Sequence, residues 1–284
     1  MTFRTRFAPS PTGPLHLGHA YSALYGHRLA EAENGLWLLR IDDLDQSRSK
    51  PEWTQQIFDD LHWLGLAWPE PVRFQSQETA SYQTALDALA RAGLIYPCCC
   101  NRADIAQAAA APQEGVPEFG PDGRIYPGTC RHRSMSQAGA GDALRLNMRK
   151  AVKALQKPVT YEEFGAQRTE RITLKPGALI AQVGDVVLRR KDQGAAYHLA
   201  VVIDDDAQNI TDVVRGADLT AATQIHVVFQ HLLNIQTPRY HHHALIRDET
   251  GKRLAKRSDS EALTTLRNAG HSAQDITERL FSAG

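Results

Sequence analysis

At 284 residues the chain can bury a sizeable core, enough for one large α/β domain carrying an insertion or for two domains. Lysine plus arginine and aspartate plus glutamate balance at 32 each, which excludes a global positive field able to hold a polyanion nonspecifically and leaves RNA binding to local patches. The opening MTFRTRFAPSPTG has no apolar core of a secretory signal, and no later run reaches the length of a membrane span, so a soluble, cytoplasmic protein is expected.

TFRTRFAP reads as an opening strand that runs into a loop punctuated by proline and glycine from Pro9 to Pro14. An apolar-periodic stretch from Leu17 to Glu33 predicts a helix closed by Asn34-Gly35, and LWLLRI then reads as a buried parallel strand. The order strand, loop, helix, strand predicts a doubly wound sheet. Pro51 opens a second helix through Leu64, and Ser76 to Ala92 reads as a third that stops at Gly93. From Tyr96 to about Gly141 periodicity gives way to Ala, Pro, Gly and Arg, as in an insertion.

Three β-rich runs follow, GDVVLRR, HLAVVID and NITDVVRG, and then a helical pattern from Leu219 to Leu233. After the strand-like HHALIRD come a turn at Glu249-Thr250-Gly251, the basic run KRLAKR over Lys252 to Arg257, and a capping-box start at Ser258 with Glu261. No internal repeat is present. The expected division is 1–95 for the first half of a catalytic domain, 96–184 for an insertion and 185–284 for the second half.

RFAPSPTGPLHLGHA places His16 and His19 at the start of the first helix, behind a loop ending at Pro14. A helix N-terminus offers free N–H groups and a positive dipole end, and two imidazoles beside it can donate to a phosphate gaining charge. Gly18 lets a nucleotide approach the backbone closely. An isolated histidine pair on a helical turn is ordinarily a core or surface feature, and a run such as KRLAKR is ordinarily a solvated face.

Cys98, Cys100 and Cys130 offer three thiolates for a tetrahedral zinc, with Tyr126 or His132 as fourth ligand; residue type alone favours His132, and Cys99 would point away from an extended segment. His241, His242 and His243 alternate across a strand and are read as structural. Asp204 to Asp206 could hold magnesium or form a turn, and Asp43 and Asp45 are read as caps.

HLGH, FAPSPTG and KRLAKR stand in family order from Thr5 to about Arg257 and together resemble class I aminoacyl-tRNA synthetases of the glutamyl and glutaminyl branch, with HLGH in place of HIGH and RLAKR in place of KMSKS. The resemblance implies a Rossmann-like α/β core, a parallel sheet with helices on both faces, and a zinc-containing insertion. It implies ATP with Mg2+ and L-glutamate as substrates, with His16, His19 and Lys256 catalytic and Pro14 and Gly18 also at the ATP. Arg6, Phe7, Ala8, Pro9, Ser10, Asp42, Tyr197 and Arg215 would hold glutamate, the arginines taking carboxylates and Asp42 the α-ammonium.

Asp42 stands where glutamyl enzymes carry Glu in RIEDxD, and glutaminyl enzymes have RFDDTN there. In the basic loop Arg253 replaces the first lysine and Ala255 the serine. About twenty-five residues follow that loop, so no anticodon-binding domain is expected. That truncation, with C-x-C and Y-x3-C, is similar to the glutamyl-queuosine tRNA(Asp) synthetase family. This implies structural Zn2+ on Cys98, Cys100, Tyr126 and Cys130, and a monomer that transfers glutamate to queuosine in the anticodon of tRNA(Asp). A truncated glutamyl- or glutaminyl-tRNA synthetase charging a 3′ end, and an inactive zinc-dependent tRNA-binding module, are the other readings.

Overall fold

A computed structural model describes residues 2–109, 118–165, 169–191, 194–246 and 262–282. Strand β1 (Arg4–Phe7) leads through the proline-rich loop to helix α1 (Leu17–Ala32), and β2 (Leu36–Ile41) returns parallel to β1 with Arg4 opposite Leu36 and Phe7 opposite Leu39. The turn between α1 and β2 uses Asn34 at φ +48. Gly35 is fixed there by contact, because a Cβ would sit 2.3 Å from the Phe3 carbonyl oxygen.

Helix α2 (Pro51–Trp63) starts on its proline, and β3 (Arg73–Phe74) extends the sheet beside β2. Helix α3 (Thr79–Arg91) begins three residues later than Ser76. Ser76 instead lies in a 3₁₀ turn, where the Asp43 carboxylate accepts from its N–H at 2.8 Å and its hydroxyl at 2.6 Å. Gly93, at φ +68, ends the helix as expected.

The chain continues through β4 (Ile95–Cys98), α4 (Arg102–Ala109) and a hairpin of β5 (Phe119–Gly120) and β6 (Gly123–Arg124). Next come β7 (Ala143–Leu146), α5 (Met148–Ala154), β8 (Thr160–Gly165), β9 (Thr169–Thr173), α6 (Pro176–Ala178), β10 (Val187–Arg190) and β11 (Gly194–Ala195). The last part contains α7 (Tyr197–Ala207), β12 (Asp212–Gly216), α8 (Thr220–Leu232), β13 (Arg239–His243), α9 (Leu263–Asn268) and α10 (Ala273–Phe281).

HLAVVID, expected as a strand, is the body of α7, and Asp204 to Asp206 form its last turn. Its residues His198 to Val202 are all buried. A helix enclosed on every side shows no polar stripe, and its β-branched residues then imitate a buried strand. The expected strand HHALIRD also shortens, because β13 ends at His243 and Ala244 to Ile246 leave the sheet.

Strands β3, β2 and β1 form one parallel set, and β1 lies alongside β12, joined at its base by Thr211 N–H donating to the Arg4 carbonyl at 2.9 Å. Beyond β12 come β13 and β8, both parallel, and β9, antiparallel. Strand β8 thus joins the central sheet, with Glu163 opposite Tyr240. A separate antiparallel sheet runs β11-β10-β7-β4. One apolar cluster draws on α3, α5, α7 and α8, and the other on α1, α2, α9 and α10 against β1 and β2. The chain departs from β1 to β2 on one side and reaches β12 on the other, and such a switch point opens a crevice beyond the strand ends. Among the described residues no helix is long and apolar enough to cross a membrane.

Candidate active site

The ends of β1, β2, β12 and β13 open onto a cavity of about 540 Å3. Phe7, which closes β1, and Ala8, Pro9 and Ser10 directly after it form part of its wall. Asp42 N–H donates to the Pro9 carbonyl at 3.0 Å, which pins that loop to the end of β2. Tyr197 enters from the start of α7, and burial raises its phenol pKa. Pro14 belongs to the loop but is not part of the lining.

His16 caps α1 and folds back over it, its Nδ1 accepting from Gly18 N–H at 3.1 Å. His19 Nδ1 accepts from His16 N–H at 3.2 Å, and the two rings stack with centroids 3.8 Å apart. A backbone N–H only donates, so in the neutral rings both protons sit on Nε2, and each ring keeps that N–H as its donor. Gly18 keeps room for this arrangement: a Cβ there would press on the His16 ring, at 3.0 Å from Cε1 and 3.2 Å from Nδ1. His16, Gly18 and His19 all line the cavity.

The floor on one side is a buried ionic network. Arg6 donates through Nε and Nη2 to both oxygens of Asp205, at 2.8 and 3.3 Å. Arg40, fully enclosed, donates to Asp42 Oδ1 at 2.7 Å and Asp205 Oδ1 at 2.6 Å. Burial raises the Asp42 carboxyl to about 6, against the lowering effect of Arg40. Asp205 stays low because, although burial opposes its charge, Arg6 and Arg40 both hold it ionised. Asp204, read from sequence as a magnesium ligand or turn residue, accepts instead from Arg73 and Gln75 at 2.8 Å and from Tyr82 at 2.9 Å.

Arg215, at the end of β12, faces the same cavity from the other side. Its Nε donates to His242 Nε2 at 3.3 Å, Nη1 to His226 Nδ1 at 3.0 Å and Nη2 to Thr223 Oγ1 at 2.7 Å. Among the described residues no carboxylate lies within 4 Å of it, although it is only 6 % exposed. A buried guanidinium with neutral partners is a site for an anion.

Lys256 lies outside the described residues. Ile246, the last described residue before it, lines the cavity. Ala262, the first after it, bridges to His16, and Leu263 N–H donates to the Leu15 carbonyl at 2.9 Å. Of the three consecutive histidines, His241 contacts Asp212 at 2.7 Å, His242 contacts Arg215, and His243 contacts Ser22 at 2.7 Å and lines the cavity. Asp45 binds Ser47 and Arg48 at 2.6 Å.

Cys98 and Cys100 at the end of β4 meet Tyr126 and Cys130, which follow the β5–β6 hairpin. The three sulfurs of Cys98, Cys100 and Cys130 lie within 4.8 Å of one another, and the Tyr126 hydroxyl is 3.4 Å from both Cys98 and Cys100. Metal–sulfur bonds of about 2.3 Å and a metal–oxygen bond of about 2.0 Å give tetrahedral edges of roughly 3.8 Å between sulfurs and 3.5 Å from sulfur to oxygen. The donor set therefore fits a zinc ion. Burial opposes ionisation of Cys130, but hydrogen bonding with Tyr126, the Cys99 backbone and the neighbouring thiols outweighs it and brings the thiol to about 6, toward the ligand form. His132 is exposed and outside the group. Cys99 is exposed too, although its sulfur approaches Cys130 to 3.7 Å.

Residues 2–282 match the family described as tRNA synthetases class I (E and Q), catalytic domain. The chain belongs to that family. This synthetase-family chain is similar to a glutamyl-Q tRNA(Asp) synthetase of Rhodobacter capsulatus, 50 % identical over 275 residues that cover 96 % of this chain and 97 % of that protein. It is also similar to one of Nitratidesulfovibrio vulgaris, 39 % identical, with 96 % and 84 % covered. Among solved structures it resembles a glutamate tRNA ligase from Elizabethkingia meningosepticum in complex with its amino acid, at TM-score 0.71 and 25 % identity over 90 % of this chain. The chain spans about half of that ligase, 52 % of its length.

Sequence reasoning missed several residues of this synthetase fold's cavity. Arg40 supports Asp42 from beneath, while Asp218, His243, Leu245 and Ile246 line the wall. Each of the last four follows or closes β12 or β13, so the rule that ligands sit beyond strand ends marks them once those strands are placed.

Proposed function

We propose that this chain activates L-glutamate with ATP and transfers the glutamyl group to queuosine in the anticodon of tRNA(Asp). The observation that carries the reading is Arg215, a buried cation without a carboxylate partner among the described residues, in the same cavity as two histidines keeping Nε2–H donors. The similarity over 96 % of the chain to glutamyl-Q tRNA(Asp) synthetases supports glutamate and queuosine as the substrates.

Glutamate would place its side-chain carboxylate on Arg215, with Arg6 contributing, and its α-ammonium on ionised Asp42, beside Ser10 and Tyr197. An α-carboxylate oxygen attacks the α-phosphorus of ATP, the bond to the β-bridging oxygen breaks, and pyrophosphate leaves. His16 and His19 donate through Nε2 to the phosphate oxygens that gain charge, and Lys256 neutralises the leaving pyrophosphate. A ring hydroxyl of queuosine then attacks the acyl carbon, losing its proton as AMP departs. Cys98, Cys100, Tyr126 and Cys130 would hold zinc, which supplies a structural clip. Residues 1–95 and 185–284 form the catalytic halves in this reading, and 96–184 the acceptor-binding part of a cytoplasmic monomer.

The test is labelled glutamate offered with tRNA(Asp) with and without queuosine, beside glutamate-dependent exchange of pyrophosphate into ATP. Exchange together with transfer only to the queuosine-bearing tRNA is expected. Equal transfer to both tRNAs would assign 3′ charging, and tRNA binding without exchange would assign a binding module.

A further inference from the structure

We infer that His226, His198 and Asp122 are positioning residues for Arg215: two imidazoles hydrogen-bonded in one direction from the guanidinium, backed by a carboxylate in ion-pair contact at the hairpin ahead of the cysteine cluster. The inference rests on the reading that Arg215 takes the glutamate side-chain carboxylate.

Direction follows from donor chemistry alone. A guanidinium has only N–H donors, so His226 Nδ1, 3.0 Å from Arg215 Nη1, must accept. The neutral ring then carries its proton on Nε2, which lies 2.9 Å from His198 Nδ1. That nitrogen accepts in turn, so the His198 proton sits on Nε2, 3.2 Å from Asp122 Oδ1. Burial, followed by the charge of Arg215, drives the His226 pKa well down and keeps the ring neutral. His226 is 2 % exposed and His198 7 %, so neither is a solvated surface group. Asp122 lies in the turn between β5 and β6, four residues before Tyr126.

A second arm repeats the logic. His242 accepts from Arg215 Nε at 3.3 Å, so its proton sits on Nδ1, which lies 3.4 Å from Glu163 Oε2 in an ion-pair contact without a hydrogen bond. Each arm ends on a carboxylate, and each interposes imidazole between that carboxylate and the guanidinium. With Thr223, the two arms occupy three of the five N–H donors and leave one on each terminal nitrogen, the pair that a carboxylate takes. A carboxylate bound directly to Arg215 would compete with substrate. Placed behind imidazoles, the negative charges offset burial of the guanidinium, fix its rotation and leave its near face positive. The relay therefore sets both glutamate affinity and preference for a carboxylate over the carboxamide of glutamine.

The test compares His226→Phe, His226→Gln and Asp122→Asn by glutamate and ATP KM in pyrophosphate exchange. The two heteroatoms of a glutamine amide can stand in for Nδ1 as acceptor and Nε2–H as donor. His226→Phe should raise glutamate KM by about tenfold, the scale seen when a group that only orients a ligating residue is lost, with ATP KM unchanged. His226→Gln should restore most of it, and Asp122→Asn should raise glutamate KM severalfold. Wild-type glutamate KM in all three variants, or parallel losses in both KM values without rescue by glutamine, would overturn the relay. Histidine 15N spectra of the wild-type protein decide it independently: Nε2–H tautomers at His198 and His226 are expected, and Nδ1–H at either overturns it. Absence of exchange in the wild type would instead remove the glutamate reading.

Discussion

Two of the arginines that line the cavity are buried alike, Arg6 at 7 % exposure and Arg215 at 6 %, yet their surroundings are opposite. Arg6 grips Asp205 with two nitrogens, inside a network that also ties Arg40 to Asp42. Arg215 meets two imidazoles and a threonine. The first arrangement holds a shape, because its charges are already matched. The second keeps an unmatched charge ready for a ligand, and needs neighbours that orient it without neutralising it.

Removing Arg40 should separate these roles most sharply. Arg40→Ala strands Asp42 in the interior, leaves Asp205 with Arg6 alone, and should destabilise the protein by roughly 3 to 5 kcal/mol, read as a lower denaturation midpoint. Arg215→Ala should leave the midpoint far less altered, and should cut kcat/KM for glutamate in pyrophosphate exchange by roughly a thousandfold, the loss of two charge-assisted bonds of about 2 kcal/mol each. Equal effects on stability would erase the contrast. Lys256→Ala should reduce adenylate formation by roughly a hundred- to a thousandfold while glutamate binding stays nearly intact, measured by exchange and by calorimetry.

Acid should weaken glutamate binding through Asp42. Burial raises Asp42 to about 6, and only its ionised form pairs with an ammonium. The kcat/KM for glutamate should therefore be flat above pH 6 and fall about tenfold per unit below it, a limb that Asp42→Asn removes. The stability linkage has the opposite sign: a raised carboxyl pKa stabilises below the unfolded value near 3.9, and that contribution is lost as pH rises through about 6. His242 is lowered to about 3, chiefly by burial, so its contribution is present above the unfolded value near 6.5 and is lost as pH falls toward 3. Denaturation at pH 5 against pH 7 should show a shallower loss in His242→Gln than in the wild type.

Chelation gives the mildest effect on the cavity. It should lower the melting temperature and release about one zinc per chain, while the His16–His19 pair keeps its capping contacts. A protein containing no zinc, or one whose melting temperature is unchanged by chelator, would refute the tetrahedral reading of the cysteine group.

Much of this was legible in the residues. The β-loop-α-β start and HLGH on a helix N-terminus carry local physics, which survives folding, whereas Y-x3-C beside C-x-C was legible only through the family resemblance. Helix α7 was not legible, because a helix buried on all sides loses its stripe. Arg40 was hidden in LWLLRI, where a charged residue inside an apolar run gives no sign that aspartates 164 and 165 positions downstream close around it. The histidine relay was equally silent, since it joins residues from three distant segments. Residue chemistry favoured His132 as the fourth metal ligand and the family resemblance favoured Tyr126; Tyr126 is the one buried beside the thiols.

Strand β8 has a consequence for how this architecture can change. It lies in the chain between β7 and β10, the strands of the separate antiparallel sheet, but completes the central sheet against β13. Excising that stretch would strip one flank from β13 and bare a row of backbone donors and acceptors, an invitation to aggregation. The intervening region and the core must therefore be inherited, trimmed or transplanted together.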